Sequence, residues 1–223
     1  VRVEVTEVTG AQVLVKESVA VGNFITSRAA YAQAGKEVLP IGSLLSPANI
    51  GVAATAGAAS VIVHRPPNVS ILATGDELVD IDRRPTAAQI RNSNRHLLDA
   101  LFRSAHVEPR FLGVVGDDRE SLHAAIGKGL RGDLLCITGG VSAGAFDFVP
   151  DVLTELGATI RVRGISIKPG RPTLFATAPS GTLVFALPGN PISAFVGFEL
   201  LVRPALAALQ GRTPVLPELF AAR

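Results

Sequence analysis

From Val69 onward, short apolar runs alternate with amphipathic helical segments, and this pattern limits the possible folds more than any other feature of the chain. Val69–Ala73, Arg110–Val115 and Leu134–Ile137 read as strands. Leu134, Leu135, Cys136 and Ile137 are apolar at every position, as a strand covered by helices on both faces must be. Between the strands, Asn94–His106 sets Leu97, Leu98, Leu101, Phe102 and Ala105 on one helical face. A helix begun by Asp117-Asp118 carries Leu122, Ala125, Ile126 and Leu130. A helix from about Pro150 to Leu156 follows, then strands at Thr159–Ile167, Thr173–Thr177 and Thr182–Ala186. The last helix starts at Asn190-Pro191, and Pro204 predicts a kink or split in it. The expected fold class is α/β: a three-layer sandwich with a mostly parallel central sheet over residues 67–211. A small N-terminal β-rich or mixed portion (1–66) precedes it and a C-terminal linker (212–223) follows.

The N-terminal portion is less regular. Val1, Val3 and Val5 alternate with Arg2, Glu4 and Thr6, a half-buried strand pattern; Gly10 then turns into a second strand over Gln12–Lys16. Residues 18–43 read as short strands and turns. Ser46-Pro47 predicts a helix start, the serine as cap and the proline in the first turn, and Gly57 ends that helix. Val61-Ile62-Val63 reads as a short strand. Arg65-Pro66-Pro67 marks a boundary, because paired prolines neither continue a helix nor donate to a sheet.

Composition narrows the class. The chain has 223 residues, is 48% hydrophobic and 18% charged, and so can bury a sizeable core. A net charge of +2 predicts no nucleic-acid partner. The uncharged run Val38–Val63 is interrupted by Pro40, Gly42, Pro47, Gly51 and Gly57, so no membrane span is expected there. Arg2, Glu4 and Glu7 spoil any apolar leader. With a single cysteine, Cys136, no disulfide framework is possible, and a cytoplasmic location is expected. The chain has no methionine, so it is expected to be part of something longer.

Candidate chemistry sits at strand ends. Thr74-Gly75-Asp76-Glu77 follows the first strand, Asp117-Asp118 the second, and Thr138-Gly139-Gly140 with Ser142 and Asp147 the third. In a parallel sheet these ends share one edge, where open α/β sheets hold ligands. Glycine turns let backbone approach a ligand, and their amides bind anions; the same glycines also serve as plain turns. Clustered carboxylates suit Mg²⁺, although Asp117 with Glu120 also fits an acidic capping box. Lys168-Pro169-Gly170-Arg171-Pro172 offers two cations to a phosphate or oxyanion, or is a solvated basic turn. Pro188-Gly189-Asn190-Pro191 with Ser193 opens a capped helix whose free N–H groups favour an anion. Asn92-Ser93-Asn94, between Arg91 and Arg95, reads as a solvated helix start. The four histidines lack metal-ligand spacing.

Taken in order, TGDEL (74–78), NSNR (92–95), GDD (116–118), TGGVSAGAFDFV (138–149), KPGRP (168–172) and LPGNPISA (187–194) resemble the molybdopterin molybdenumtransferase family, the MoeA and gephyrin E-domain type. The resemblance covers most of residues 44–211 and implies a molybdopterin-binding-domain fold. It implies Mg²⁺-dependent insertion of molybdate into adenylylated molybdopterin, with release of AMP. Carried over by motif, Glu77, Asp117 and Asp147 are the acidic and metal residues, and Lys168 contacts the anion. Thr74, Gly75, Asp76, Thr138, Gly139, Gly140, Ser142, Arg171, Pro188, Gly189, Asn190 and Ser193 hold the substrate. The resemblance also implies a homodimer, with other cofactor-synthesis proteins as further partners.

Two positions depart from the family pattern. Ala29-Ala30-Tyr31 stands where the family has Gly-Glu-Asp, and Gly164 stands where it has a basic residue. They motivate a second reading, a non-catalytic module that binds molybdopterin or a partner on the same fold. A third is a related adenylyltransferase or pyrophosphatase, against which LPGNP argues.

Overall fold

The computed structural model describes residues 1–141, 148–214 and 216. It divides into two compact units, Val1–Val61 and Ile62–Arg223.

The first unit holds a hairpin and one helix. Strands β1 (Thr6–Thr9) and β2 (Gln12–Val15) pair antiparallel across the Gly10 turn, with Thr9 opposite Gln12. The alternation at Val1–Thr6 does not produce a strand. Val3–Val5 forms a 3₁₀ turn instead, and Val1 and Val3 are exposed. Residues 18–43 contain turns and no strand. Helix α1 (Pro47–Thr55) starts as its sequence predicts, with the Ser46 hydroxyl accepting from the Asn49 amide.

The second unit is built on a six-stranded sheet. Its strands are β3 (Val69–Thr74), β6 (Arg110–Val115), β7 (Leu134–Thr138), β8 (Thr159–Arg163), β9 (Leu174–Thr177) and β10 (Leu183–Leu187), in the order β6-β3-β7-β10-β9-β8. The pairs β6/β3, β3/β7 and β7/β10 are parallel, whereas β9 runs antiparallel to both its neighbours. Two short strands, β4 (Leu78–Val79) and β5 (Ile90–Arg91), pair separately. Val61-Ile62-Val63 is no strand: Ile62 is fully exposed, and apolar content alone does not make a strand without a sheet neighbour. Strand β8 ends at Arg163, short of the expected Ile167, because Gly164 turns the chain with φ +82°.

Strand alternation distributes the core over two faces. Val69 and Ile71 of β3, Leu134 and Cys136 of β7, and Phe185 and Leu187 of β10 point to one face. There they meet α2 (Ser93–Ser104) and the C-terminal helical segment. Leu72, Leu135, Ile137, Val184 and Ala186 point to the other, against α3 (Arg119–Gly129) and α4 (Val149–Glu155). These are the three layers. The C-terminal segment runs from α5 (Pro191–Gly197) through a π turn at Phe198–Val202 into α6 (Arg203–Leu209). Pro204 therefore neither stops nor splits the helix; the wide turn just before it accommodates the ring and the missing N–H. Pro191–Leu209 is long and apolar enough to cross a bilayer by length and composition alone. Phe198, Val202 and Leu206 nevertheless pack fully buried in the core.

Candidate functional site

The chain leaves β3 through α2 to its neighbour β6, then crosses through α3 to β7 on the opposite side of β3. The two crossovers place α2 and α3 on opposite faces of the sheet. The carboxyl ends of β3 and β7 therefore diverge at a topological switch point, the kind of sheet edge where ligands bind. Register brings the turns together there: Thr138 stands beside Ala73 on one side and Leu187 on the other, and Thr74 stands beside Val115.

A cleft of about 350 Å³ opens at this edge. Thr74, Glu77, Thr138, Gly139, Gly189 and Asn190 line it, so three separated motifs do converge. Gly139 and Gly140 have φ of +91° and +62°. A side chain at Gly139 would run into the Thr74 carbonyl, and one at Gly140 would lie 2.9 Å from the Thr74 hydroxyl and 2.8 Å from Val149. Glycine is required at both positions by conformation and by space. The Gly139 amide donates to Leu187 O at 3.1 Å, tying the β7 turn to the end of β10. Asn190 caps α5 by accepting from the Ile192 and Ser193 amides at 3.0 and 3.2 Å. Pro188 and Ser193 are buried and do not line the cleft.

The acidic residues gather beside the cleft. Gly75, with φ +139°, donates to Val115 O at 3.1 Å and turns the chain so that Asp76 and Glu77 face the end of β6. The Asp117 amide donates to Asp76 Oδ1 at 3.3 Å. Partial burial, then the charges of Asp76 and Glu77, raise the Asp117 carboxyl above its ordinary value. The helix-cap reading of Asp117 is corrected: Asp118 caps α3, accepting from the Ser121 amide at 2.8 Å. The chain reaches helical geometry one residue later than that reading required, which leaves Asp117 outside the helix. Among the described residues no three acidic, histidine or cysteine side chains are grouped to hold a metal. Two predicted residues, Ser142 and Asp147, lie outside the described residues.

Lys168 and Arg171 are exposed on their turn and do not line the cleft. That turn adjoins it: a Cβ on Gly170 would lie 3.6 Å from Ser193 O, in the first turn of α5. The cations thus stand next to the helix start that forms one cleft wall.

The sequence reading missed Asn92 and Asn94. They do not form a solvated helix start; they are 2% and 7% exposed, and both line the cleft. Asn92 caps α2, its Oδ1 accepting from the Arg95 amide at 3.0 Å. Asn94 Nδ2 donates to Thr138 Oγ1 at 2.7 Å and to Gly189 O at 2.8 Å, clamping the β7 and β10 turns. A signal was present: Asn94, Leu98 and Leu101 are spaced four and three apart, on the helix's buried face.

Residues 70–208 match the family described as "Probable molybdopterin binding domain". A molybdopterin molybdenumtransferase of Nostoc sp. is 38% identical over 193 residues, covering 85% of this chain and 44% of the relative. That of Bacillus subtilis is 37% identical over 195 residues, covering 86% and 45%. A molybdopterin biosynthesis MoeA protein from Pyrococcus horikoshii superposes with a TM-score of 0.75 at 31% identity, over 95% of this chain and 53% of that one. The chain spans less than half the length of these curated relatives. Because the matched region takes in more than half of its residues, the chain belongs to the probable molybdopterin binding domain family.

Proposed function

We propose that the protein inserts molybdenum in molybdenum cofactor synthesis, taking adenylylated molybdopterin and molybdate as substrates and releasing AMP. The observation that carries this reading is the convergence of Thr74, Thr138-Gly139 and Gly189-Asn190 on one switch-point cleft, beside Asp76, Glu77 and Asp117. The names of the Nostoc and Bacillus relatives support the same step.

The residues divide the work by charge. The Gly139 amide is bonded to Leu187 O and the Ile192 and Ser193 amides to Asn190, so an anionic group would be held chiefly by charge. Lys168 and Arg171, on the adjoining turn, offset the charge of phosphate and molybdate. The carboxylates fit Mg²⁺, which takes oxygen ligands, keeps several waters and needs only one or two carboxylates beside a phosphate. Glu77 and Asp117, together with Asp147, would hold it, and the bound ion would neutralise phosphate charge as the link to AMP is cleaved. A cytoplasmic homodimer, in contact with other proteins of cofactor synthesis, belongs to the same proposal; light scattering of the purified chain gives the oligomeric state.

Incubation with adenylylated molybdopterin, molybdate and Mg²⁺ tests the step by AMP release. Release that falls about a hundredfold or more in Glu77→Ala is the expected result, the size seen when a group acting on the transition state is lost. Ala29-Ala30-Tyr31 and Gly164 favour the second reading, a binding module without turnover. Retained pterin binding with no AMP release would establish that reading instead.

A further inference from the structure

Four buried side-chain polar atoms without a partner occur among the described residues, and three belong to residues of the cleft: Thr74 Oγ1, Asn92 Nδ2 and Asn94 Oδ1. An unpaired buried polar group is destabilising, so native structures keep few of them. Three in one wall mark a place where a partner is expected.

The identity of each atom is fixed by its bonded twin. Asn92 must present Oδ1 to the Arg95 amide, so its free atom is the NH₂ donor. Asn94 must present its NH₂ to Thr138 Oγ1 and to the Gly189 carbonyl, so its free atom is the carbonyl acceptor. Thr74 adds a hydroxyl that serves either way. This set carries no charge. An anion would call for donors and cations, and a metal for carboxylates; one donor, one acceptor and one hydroxyl match a neutral ring that presents both kinds of atom on its edge. Leu78 and Ile90, paired across β4 and β5, line the same cleft and offer an apolar surface to the face of such a ring.

We propose that Asn92, Asn94 and Thr74, in the cleft that Glu77 and Arg91 also line, form an uncharged subsite that reads a heterocyclic ring of the substrate. The inference rests on the reading of the protein as a binder of an adenylylated pterin. Both halves of that molecule carry a ring of this chemistry. Each free atom has less than 1 Å² exposed, so binding draws the wall inward by a small side-chain adjustment.

Calorimetric titration of the full chain with adenosine and, separately, with 6-hydroxymethylpterin tests the proposal, since both probes are uncharged. Asn92→Asp and Asn92→Ser keep an acceptor for the helix cap while removing the amide donor. The expected result is binding of at least one ring by the native chain. Both variants then weaken it about tenfold or more, the size of one lost hydrogen bond with its partner left unpaired, and Asn92→Ser, which adds no charge, does so at unchanged melting temperature and unchanged affinity for inorganic phosphate. The ring that responds identifies which half of the substrate lies there. Native-like ring affinity in both variants would overturn the subsite, and so would a native chain that binds neither ring. The AMP-release assay stands independently of either result, so failure of the subsite and failure of the proposed function are told apart.

Discussion

Asp117 is partly buried and feels the charges of Asp76 and Glu77, and that has a cost. Its raised pKa means that the folded state takes up a proton at higher pH than the unfolded chain does. Ionised Asp117 therefore lowers stability at neutral pH, and the loss is relieved as pH falls through the raised value. Asp117→Asn should gain about 0.5–1 kcal/mol at pH 7, typical of relieved surface repulsion. The gain should vanish below the ordinary value of 3.8, where both states of the native chain are protonated. Denaturant melts at the two pH values measure it, and AMP release by the same variant should drop. At Gly139 the constraint is steric. Gly139→Ala combines a positive φ with an overlap on the Thr74 carbonyl. It should cost about 2 kcal/mol or more in the same melts.

Elements carry a second set of consequences. The start of α5 depends on Asn190, which satisfies two amides at once. Asn190→Ala should cost about 1 kcal/mol in a chemical melt, the usual worth of such a cap. The segment leading into β3 is tied to the start of β7 by Asp133, which accepts two hydrogen bonds of 2.6 Å from Arg65 and one of 2.7 Å from the Asn68 amide. The Arg65 bond, foremost, holds the Asp133 carboxyl below its ordinary value. Its stabilisation is complete above 3.8 and is lost as pH falls through the depressed pKa. Asp133→Asn should melt below the native chain at pH 7, with the gap closing under acid; circular dichroism follows both. The core strands were legible because β3, β7 and β10 are covered on both faces and so are apolar at nearly every position. Asn92 and Asn94 were not, because a buried polar residue at a helix start has the same letters as a solvated one. The spacing from Leu98 and Leu101 hints at burial for Asn94 alone, and its partners lie 44 and 95 residues away, beyond any local pattern.

At the scale of the whole molecule, burial is uneven. Within Val1–Val61 only Ala53 is buried, while Val3, Phe24, Ile25 and Tyr31 are exposed. Segments with so few packed side chains open easily. Limited trypsinolysis should cut first at Arg28 or Lys36 and leave a resistant fragment beginning at Ala29 or Glu37, because Arg65 precedes Pro66 and resists the protease; mass spectrometry reads the mass. The weak patterning of residues 18–43 in the sequence has this physical cause: without a face to bury, no period is selected. The regular alternation after Val69 exists because two helical layers must cover one sheet.

Cys136 lies at the centre of β7, fully buried, and burial pushes its thiol far above the ordinary value. Maleimide and disulfide reagents should find no target in the native chain. Cysteines placed as a pair, one on the Lys168 turn and one on the Glu77 turn, could then carry fluorophores without interference, so that the distance between the turns is read with and without substrate.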